Sequence, residues 1–280
     1  MNRQKRVAAI HDISGFGKCS LTVALPVISA AGIETSVMPT AVLSTHTGGF
    51  TGFTYRDLTE DLMPFVRHWQ TLGIGFDALY SGFLGSFEQL ELVGEIFDML
   101  KGPGTQIMVD PVMADYGKLY DIFPASFPRG MKKLCEKANI LIPNITEASL
   151  MLEKPYKDGP YSEEYISDMV KALYDLNGAI IVLTGVWFND TELGVAVYSG
   201  GHISYAMGKR IPGAYHGTGD VYGSALLAAM LNEQSPELAA QTAVDFTVGS
   251  IQRSHLAGTD MRFGVNFEAE LPNLIKALGL

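Results

Sequence analysis

A glycine-rich turn that leads directly into an apolar helix is the most specific chemical feature of this sequence. The segment is HGTGDVYGSALLAAML, at residues 216–231. Gly217 and Gly219 remove side chains where a backbone must approach a ligand closely, and the free N–H groups of a helix start attract an anion. The turn therefore predicts a phosphate-binding site.

Asp220 stands inside this turn, where a carboxylate would repel a bound phosphate unless it has a task of its own. One interpretation is an aspartate that caps the helix. The other is a general base that orients a substrate hydroxyl and accepts its proton as the hydroxyl oxygen bonds to a γ-phosphoryl group. Because the neighbouring turn suits phosphate, we favour the base.

Two further segments supply oxygen ligands for the divalent cation that phosphoryl transfer requires. DPVMADYG places Asp110 after a buried strand and Asp115 five residues on, and PNITE places Asn144 and Glu147 at the start of a helix. Each of these residues could also be an ordinary turn or cap residue. Their occurrence together with GTGD, in this order and at strand ends, favours a nucleotide site.

Alternating strands and helices are expected to hold these residues together. Strand-length apolar runs cover residues 7–11, 35–43, 76–82, 106–112, 139–144 and 179–185. Amphipathic helix patterns cover residues 58–72, 87–101, 127–137 and 163–176, with two more helices at 219–231 and 236–254. The alternation predicts a three-layer α/β/α fold, with a mostly parallel, doubly wound sheet and helices on both faces. Residues 194–198 and 202–207, joined by Ser-Gly-Gly, predict an antiparallel hairpin at its edge.

Composition narrows the class of protein. The 280 residues, 47% hydrophobic and 18% charged, suit one α/β domain over 1–280. A formal charge of −10 without a basic stripe argues against a nucleic-acid partner. Cys19 and Cys135 fit neither a disulfide framework nor a metal cluster, which predicts a reducing, cytoplasmic location. The apolar run at 7–10 is too short for a signal sequence or a membrane span, so no membrane partner is expected.

The three segments DPVM, PNITE and GTGD, at residues 110–113, 143–147 and 217–220, resemble the signature of the ribokinase-like superfamily. Within it the sequence is most similar to the pyridoxal kinases, since VLSTHTGGF at 42–50 resembles their substrate-side loop and SGFLGS at 81–86 their strand-end motif. The resemblance implies transfer of the ATP γ-phosphoryl group to the 5′-hydroxymethyl group of pyridoxal, pyridoxamine or pyridoxine, in the salvage of pyridoxal 5′-phosphate. It also implies Mg²⁺, a monovalent cation such as K⁺, and a homodimer.

The same resemblance assigns roles to individual residues. Asp220 would be the catalytic base, with Gly217, Thr218 and Gly219 as the anion hole, and Asp110 and Glu147 would position magnesium. Other contacts to ATP would come from Asp115, Tyr120, Asn144, Thr184 and Gly185. The B6 vitamer would contact Asp12, Ser14, Ser44, His46, Thr47, Phe83 and Asp220.

Asp12 departs from the family, many of whose members have serine after the first strand. We consider two roles for it. It could contact the polar edge of the ring or a cationic aminomethyl group, which would favour pyridoxamine. It could instead be a strand-end aspartate that caps the next helix.

Other functions remain open at this point. Hydroxymethylpyrimidine is an alternative acceptor for the same chemistry, and a non-catalytic B6-binding protein is an alternative from another class. SGFGKCS, at residues 14–20, lacks the spacing of a P-loop and of a dinucleotide-binding loop. His11, His46 and His216 lack metal-ligand spacing, so we expect them to be histidines with ordinary hydrogen bonds.

Overall fold

One mixed sheet of nine strands forms the centre of the computed structural model, which describes residues 3–280. The strands of the described chain are β1 (Arg6–Ser14), β2 (Glu34–Leu43), β3 (Tyr55–Asp57), β4 (Ala78–Ser81), β5 (Gln106–Val109), β6 (Ala114–Asp115), β7 (Lys118–Leu119), β8 (Ile140–Leu141), β9 (Ile180–Val186), β10 (Glu192–Ser199) and β11 (His202–Lys209). Its helices are α1 (Leu21–Ala30), α2 (Thr59–Thr71), α3 (Phe87–Leu100), α4 (Phe127–Cys135), α5 (Ile145–Met151), α6 (Glu163–Tyr174), α7 (Thr218–Leu231), α8 (Pro236–Leu256) and α9 (Leu271–Ala277). β6 and β7 form a separate two-stranded ribbon.

The order of the strands explains where functional side chains can meet. The sheet runs β11-β10-β9-β8-β5-β4-β1-β2-β3. The six strands from β9 to β2 in this order are parallel, whereas β10, β11 and β3 are antiparallel to their neighbours. The carboxyl ends of the parallel strands therefore meet at one edge, where α/β proteins bind ligands.

The helices cover both faces of this sheet. α2 to α6 pack on one face, and α1, α7, α8 and α9 pack on the other. The predicted three-layer arrangement with a mostly parallel sheet and an edge hairpin is confirmed. Within residues 3–280, no helix combines the length and the apolar character that a membrane span requires.

β1 is longer than the strand predicted over residues 7–11. Its residues 7–10 are fully buried, because helices cover them on both faces. Beyond them the pairing with β2 continues after a register shift between His11 and Ile13, and the strand ends at Ser14. Asp12 consequently lies within β1, at the irregularity, and not after the end of the strand as predicted.

α7, the helix that begins at the predicted phosphate turn, is largely buried. Ten of its 14 residues are buried, so it has no solvent-facing polar stripe. Gly223 on this helix lies so close to the sheet that a Cβ there would be 2.5 Å from the Tyr80 hydroxyl oxygen. This close packing fixes the first turn of α7 relative to the carboxyl ends of the strands.

The edge hairpin depends on one glycine. A Cβ at residue 194 in β10 would lie 2.0 Å from the Ala206 carbonyl oxygen in β11. Gly194→Ala is expected to lower the free energy of unfolding by about 1–3 kcal/mol or more, since backbone must move to make room. Thermal and urea unfolding would measure the loss. Gly75→Ala is the matched control, because its Cβ would enter open space at an ordinary φ; equal stability of the two variants would contradict the prediction.

Candidate active site

A cavity of about 620 Å³ lies where β5, β8 and β9 end and α7 begins. Its volume falls within the range of small-molecule sites, about 300–1,000 Å³. The cavity is lined by all the residues predicted to contact ATP or the transferred phosphoryl group: Asp110, Asp115, Tyr120, Asn144, Glu147, Thr184, Gly185, Gly217, Thr218, Gly219 and Asp220. The structure therefore brings together side chains from segments that are far apart in the sequence.

The turn at the start of α7 leaves backbone N–H groups free for a ligand. Gly217 is the N-cap residue and has a φ of 74°, in the left-handed region that glycine adopts without strain. A Cβ at this position would lie 2.2 Å from the Lys18 carbonyl oxygen, so no other residue fits without a shift of backbone. The first helical bond of α7 is donated by Val221 to the Gly217 carbonyl, at 3.1 Å. The N–H groups of residues 218–220 precede it and lie at the cavity wall.

Asp220 is the third residue of α7 and is not its N-cap. The side chain lines the cavity and is 15% exposed. The pKa of this carboxyl is raised to about 7. Burial is the main cause, the Ser20 backbone N–H opposes the shift, and the nearby charge of Asp12 adds to it. Both protonation states of Asp220 are therefore accessible near neutral pH, which suits a group that must accept a proton.

Asn144 and Glu147 are cap residues and also line the cavity. The Asn144 side chain accepts a hydrogen bond from the Glu147 N–H at 2.9 Å, and Glu147 Oε2 accepts one from the Asn144 N–H at 2.8 Å. Glu147 Oε1 accepts a third bond, from the Met113 N–H at 3.1 Å. These bonds fix the Glu147 carboxylate beside Asp110. The two interpretations left open for PNITE, a helix cap and a nucleotide site, are compatible.

Acidic side chains outnumber basic ones on the wall of the cavity. The lining residues include the carboxylates of Asp110, Asp115, Glu147, Asp158 and Asp220, against the cations Lys209 and Arg210. Burial raises the pKa of Asp110, and the charges of Glu147 and Asp220 raise it further. Burial also raises the pKa of Glu147 to about 8. A divalent cation would favour the ionised form of these carboxyl groups, so the wall suits a triphosphate that carries such a cation.

Asp110 is the side chain best placed to meet that cation. Its Oδ2 atom lies 4.0 Å from the position that a Cβ on Gly219 would occupy, so the carboxylate faces the turn of α7. Within residues 3–280, no group of three or more His, Cys, Asp or Glu side chains is arranged to hold a metal alone. The donor set thus fits Mg²⁺, which proteins bind through one or two carboxylates together with substrate phosphates and water.

Apart from Asp220, the residues predicted for the acceptor substrate lie outside the walls of this cavity. Asp12 is buried and accepts hydrogen bonds from the hydroxyls of Ser14 and Ser20. Neither of the two roles considered for Asp12 includes these bonds, and it does not cap α1, whose N-cap is Ser20. Ser14 lines a separate cavity of about 360 Å³.

The other predicted acceptor residues belong to two loops. Ser44 and Thr47 are exposed in the segment after β2. His46 is buried there, with Nε2 bonded to the Arg262 carbonyl at 2.6 Å and Nδ1 accepting from the Gly48 N–H at 3.1 Å. Phe83, after β4, packs its ring 5.8 Å from that of Phe123. The structure does not bring these side chains into contact with one another.

His11 differs from the expectation of ordinary hydrogen bonds. It is fully buried, and neither ring nitrogen has a hydrogen-bond partner among residues 3–280. Burial lowers its pKa to about 3, so the ring is neutral. Its Nδ1 atom lies 4.0 Å from Asp220 Oδ1, and its ring packs edge-on against Tyr80 at 4.4 Å. His46 does have the expected ordinary bonds.

Several cavity residues carry no signal in the sequence. Tyr156, Tyr161 and Trp187 form an aromatic part of the wall, and Arg210 stacks over the Trp187 ring at 4.3 Å. Outside the lining, the Ser20 backbone N–H lowers the pKa of Asp220. The aromatic residues have no regular spacing, and a backbone donor cannot be recognised from its side chain, so neither could be predicted.

Comparisons with known proteins agree on one family. The model of the phosphomethylpyrimidine kinase family matches residues 25–264. A Bacteroides thetaiotaomicron protein, provisionally named a phosphomethylpyrimidine kinase and crystallised with pyridoxal, is 33% identical, with a TM-score of 0.92 over 97% of this chain and 96% of that chain. The pyridoxal kinase of Lactobacillus plantarum is 27% identical, with a TM-score of 0.89 over 97% of each chain.

A sequence relative matches over a shorter stretch. A Staphylococcus aureus protein, provisionally named a pyridoxine kinase, is 27% identical over 186 residues. These residues are 65% of this chain and 64% of that protein, slightly less than two thirds of its length.

The raised pKa of Asp220 predicts a cost in stability that depends on pH. Between its ordinary value of 3.8 and about 7, the folded protein keeps a proton that the unfolded chain releases, so stability falls as pH rises through this window. Asn cannot titrate. The free energy of unfolding of Asp220→Asn, relative to that of the unsubstituted protein, should therefore be about 2–3 kcal/mol higher at pH 8 than at pH 5. Urea unfolding without ligands would measure it at both pH values. Asp121→Asn, at an exposed site, is the control; a gain that is the same at both pH values would contradict the prediction.

Proposed function

Because the chain belongs to the phosphomethylpyrimidine kinase family, we propose that it transfers the γ-phosphoryl group of ATP to the 5′-hydroxymethyl group of a vitamin B6 vitamer, in the salvage of pyridoxal 5′-phosphate. The family and fold expected from DPVM, PNITE and GTGD are confirmed, and the chain is a phosphotransferase with an alcohol group as acceptor. One observation carries the proposal: the Asp220 carboxylate and the free N–H groups of residues 218–220 line the same cavity.

At the start of α7, the backbone N–H groups and the Asp220 side chain would have separate roles. Backbone N–H groups from Gly217 to Gly219 would bind the oxygens of the transferred phosphoryl group, where the dipole of α7 favours negative charge. Asp220 would orient the acceptor hydroxyl and take its proton as the hydroxyl oxygen bonds to phosphorus. A carboxylate with a pKa of about 7 is a stronger base than one with the ordinary value, which suits the removal of a hydroxyl proton.

The remaining residues of the cavity would hold the nucleotide. Asp110 and Glu147 would position Mg²⁺ and its waters. The phosphates and the rest of ATP would contact other residues of the cavity wall: Asp115, Tyr120, Asn144, Thr184 and Gly185. When bound, Mg²⁺ neutralises charge on the β- and γ-phosphates. A monovalent cation such as K⁺ remains an expectation from the resemblance alone.

The acceptor is a B6 vitamer in the leading proposal and a hydroxymethylpyrimidine in the second. The pyridoxal in the crystal of the Bacteroides relative supports the first, and the description of the matched family supports the second. Both acceptors present a hydroxymethyl group on a flat aromatic ring. A B6-binding protein without catalysis would not need a carboxylate beside the phosphate site, so the placement of Asp220 supports an enzyme.

We also propose that residues 1–280 act as one cytoplasmic domain that forms a homodimer. A single nine-stranded sheet runs through the described chain, although residues 1–2 of the predicted domain lie outside the described residues. The two cysteines, Cys19 and Cys135, are buried and free, which agrees with a reducing compartment. Sedimentation velocity would measure the oligomeric state.

Asp220→Asn tests the proposed chemistry. It keeps the size of the side chain and removes its ability to accept a proton, so turnover should fall about 10²–10⁴-fold while nucleotide binding persists. ADP release would be followed with magnesium-ATP and a panel of pyridine and pyrimidine alcohols, and binding by calorimetry. Asp121→Asn should match the unsubstituted protein. Near-full activity of Asp220→Asn would refute the role of the base, and no ADP release from the unsubstituted protein with any alcohol would refute the proposed function.

Asp110→Asn tests the proposed cation contact. Loss of one negative charge at the wall should raise the Mg²⁺ concentration required for half-maximal rate about tenfold or more, because the cation then has fewer charged ligands. Mg²⁺ titration at saturating ATP would measure this concentration. Asp158→Asn removes a charge from the same cavity away from the turn and should change it less. An unchanged Mg²⁺ requirement in Asp110→Asn would contradict the assignment.

A further inference from the structure

The segment between β1 and α1 holds an unusual backbone conformation. Ser20, the residue before α1, has a φ of 54° and a ψ of −133°, and Lys18 has a φ of 45°. Positive φ in residues other than glycine costs about 1–3 kcal/mol each and persists only where surrounding contacts enforce it. Ser20 is the N-cap of α1, yet its side chain makes no capping hydrogen bond. Some other contact must therefore hold Ser20.

Asp12 provides that contact. Its Oδ1 atom accepts a hydrogen bond from the Ser20 hydroxyl at 2.6 Å, a length typical of a hydroxyl bonded to a charged carboxylate. Its Oδ2 atom accepts one from the Ser14 hydroxyl at 3.1 Å. All three residues are buried, and Ser20 also forms an isolated backbone bridge with Ile13. The Asp12 carboxylate thus joins the end of β1 to the residue that starts α1.

The segment that ends at Ser20 packs against the catalytic turn. A Cβ on Gly217 would lie 3.5 Å from Cys19 Cβ, and the Ser20 backbone N–H lowers the pKa of Asp220. The same segment also supports the anion hole, because the Lys18 carbonyl oxygen lies 2.2 Å from where a Cβ on Gly217 would be. A change in the backbone at residues 18–20 would therefore move a partner of Asp220 and a neighbour of Gly217 together.

We propose that Asp12 is a positioning residue for the catalytic turn and its base: through the Ser20 hydroxyl it holds the positive-φ backbone of residues 18–20 against Gly217, at the start of the turn that carries Asp220. This role differs from both interpretations of the sequence, since Asp12 neither caps α1 nor has a free oxygen for a substrate ammonium group. With both oxygens bonded to serine hydroxyls and only 4% of its surface exposed, Asp12 acts through Ser20. The kinetic test of this inference rests on the proposed kinase function, whereas the structural test does not.

The kinetic test compares Asp12→Ala with Asp12→Asn. Asparagine keeps an oxygen for the Ser20 hydroxyl, so Asp12→Asn should stay within about fivefold of the unsubstituted kcat. Asp12→Ala should lose about 10–100-fold in kcat, because the base is misplaced, with little change in the KM for ATP. The loss should be equal for pyridoxal, pyridoxine and pyridoxamine. Ser29→Ala, at an exposed position on the same helix, is the control for general damage to α1.

Substitution of Ser20 separates the backbone role from a packing role. Both Ser20→Ala and Ser20→Gly lose the hydroxyl, but only glycine adopts positive φ without strain. Ser20→Gly should therefore keep a higher kcat than Ser20→Ala, and Asp12→Ala should cost little more in the Ser20→Gly background. If Ser20 served only through its side-chain packing, glycine would be the worse of the two.

Crystal structures of Asp12→Ala and Asp12→Asn complete the test and need no activity. Residue 20 should keep its positive φ in Asp12→Asn and leave it in Asp12→Ala. The proposal is overturned if residue 20 is unchanged in Asp12→Ala, if Asp12→Asn is as slow as Asp12→Ala, or if Asp12→Ala alters the preference between pyridoxamine and pyridoxal more than tenfold. The last result would assign Asp12 to the substrate ring. An unsubstituted protein without kinase activity would refute the proposed function and leave the structural result decisive for Asp12.

Discussion

The placement of a carboxylate at the start of a buried helix, beside N–H groups that attract anions, is the constraint on which the rest of the site depends. The Asp220 carboxylate repels anions whereas the free N–H groups of residues 218–220 attract them. The two are held together because α7 packs on the sheet between α1 and α8. Gly223 allows the close approach to the sheet, and Gly217 allows the tight turn. The arrangement suits a reaction in which an anionic group and a hydroxyl group bind side by side, as phosphate and alcohol do in phosphoryl transfer.

This arrangement has a cost in stability. Asp110, Glu147 and Asp220 are carboxyl groups in one poorly hydrated region, and their pKa values are all raised by burial. In a structural ion pair, each carboxylate would have a basic side chain in contact with it. Among the residues that line this cavity, the basic side chains are those of Lys209 and Arg210. Perturbed carboxyl groups that share a cleft are a general property of catalytic sites, where stability is given up for reactivity.

The sequence predicted the parts of this protein that depend on short motifs and on hydrophobic periodicity. The apolar run at 7–10 marked β1, and GTGD marked both the turn and its carboxylate, because each feature is local. The residues predicted for ATP were recognised from short motifs near strand ends, and the structure brings them to one cavity; their role in nucleotide binding stays a prediction. The contacts of Asp12 could not be predicted, because the extension of β1 to Ser14 and the hydrogen bond to Ser20 depend on pairing with β2 and on the conformation of a turn.

The contact between Gly217 and the Lys18 carbonyl links two segments that are almost 200 residues apart in the sequence. A change in the backbone of one segment would displace the other, so the two form one structural unit. Transplanting GTGD and its helix into another α/β scaffold would carry over the chemical groups but not their alignment. A successful graft would have to include the strained segment that leads into α1, together with the carboxylate that secures it.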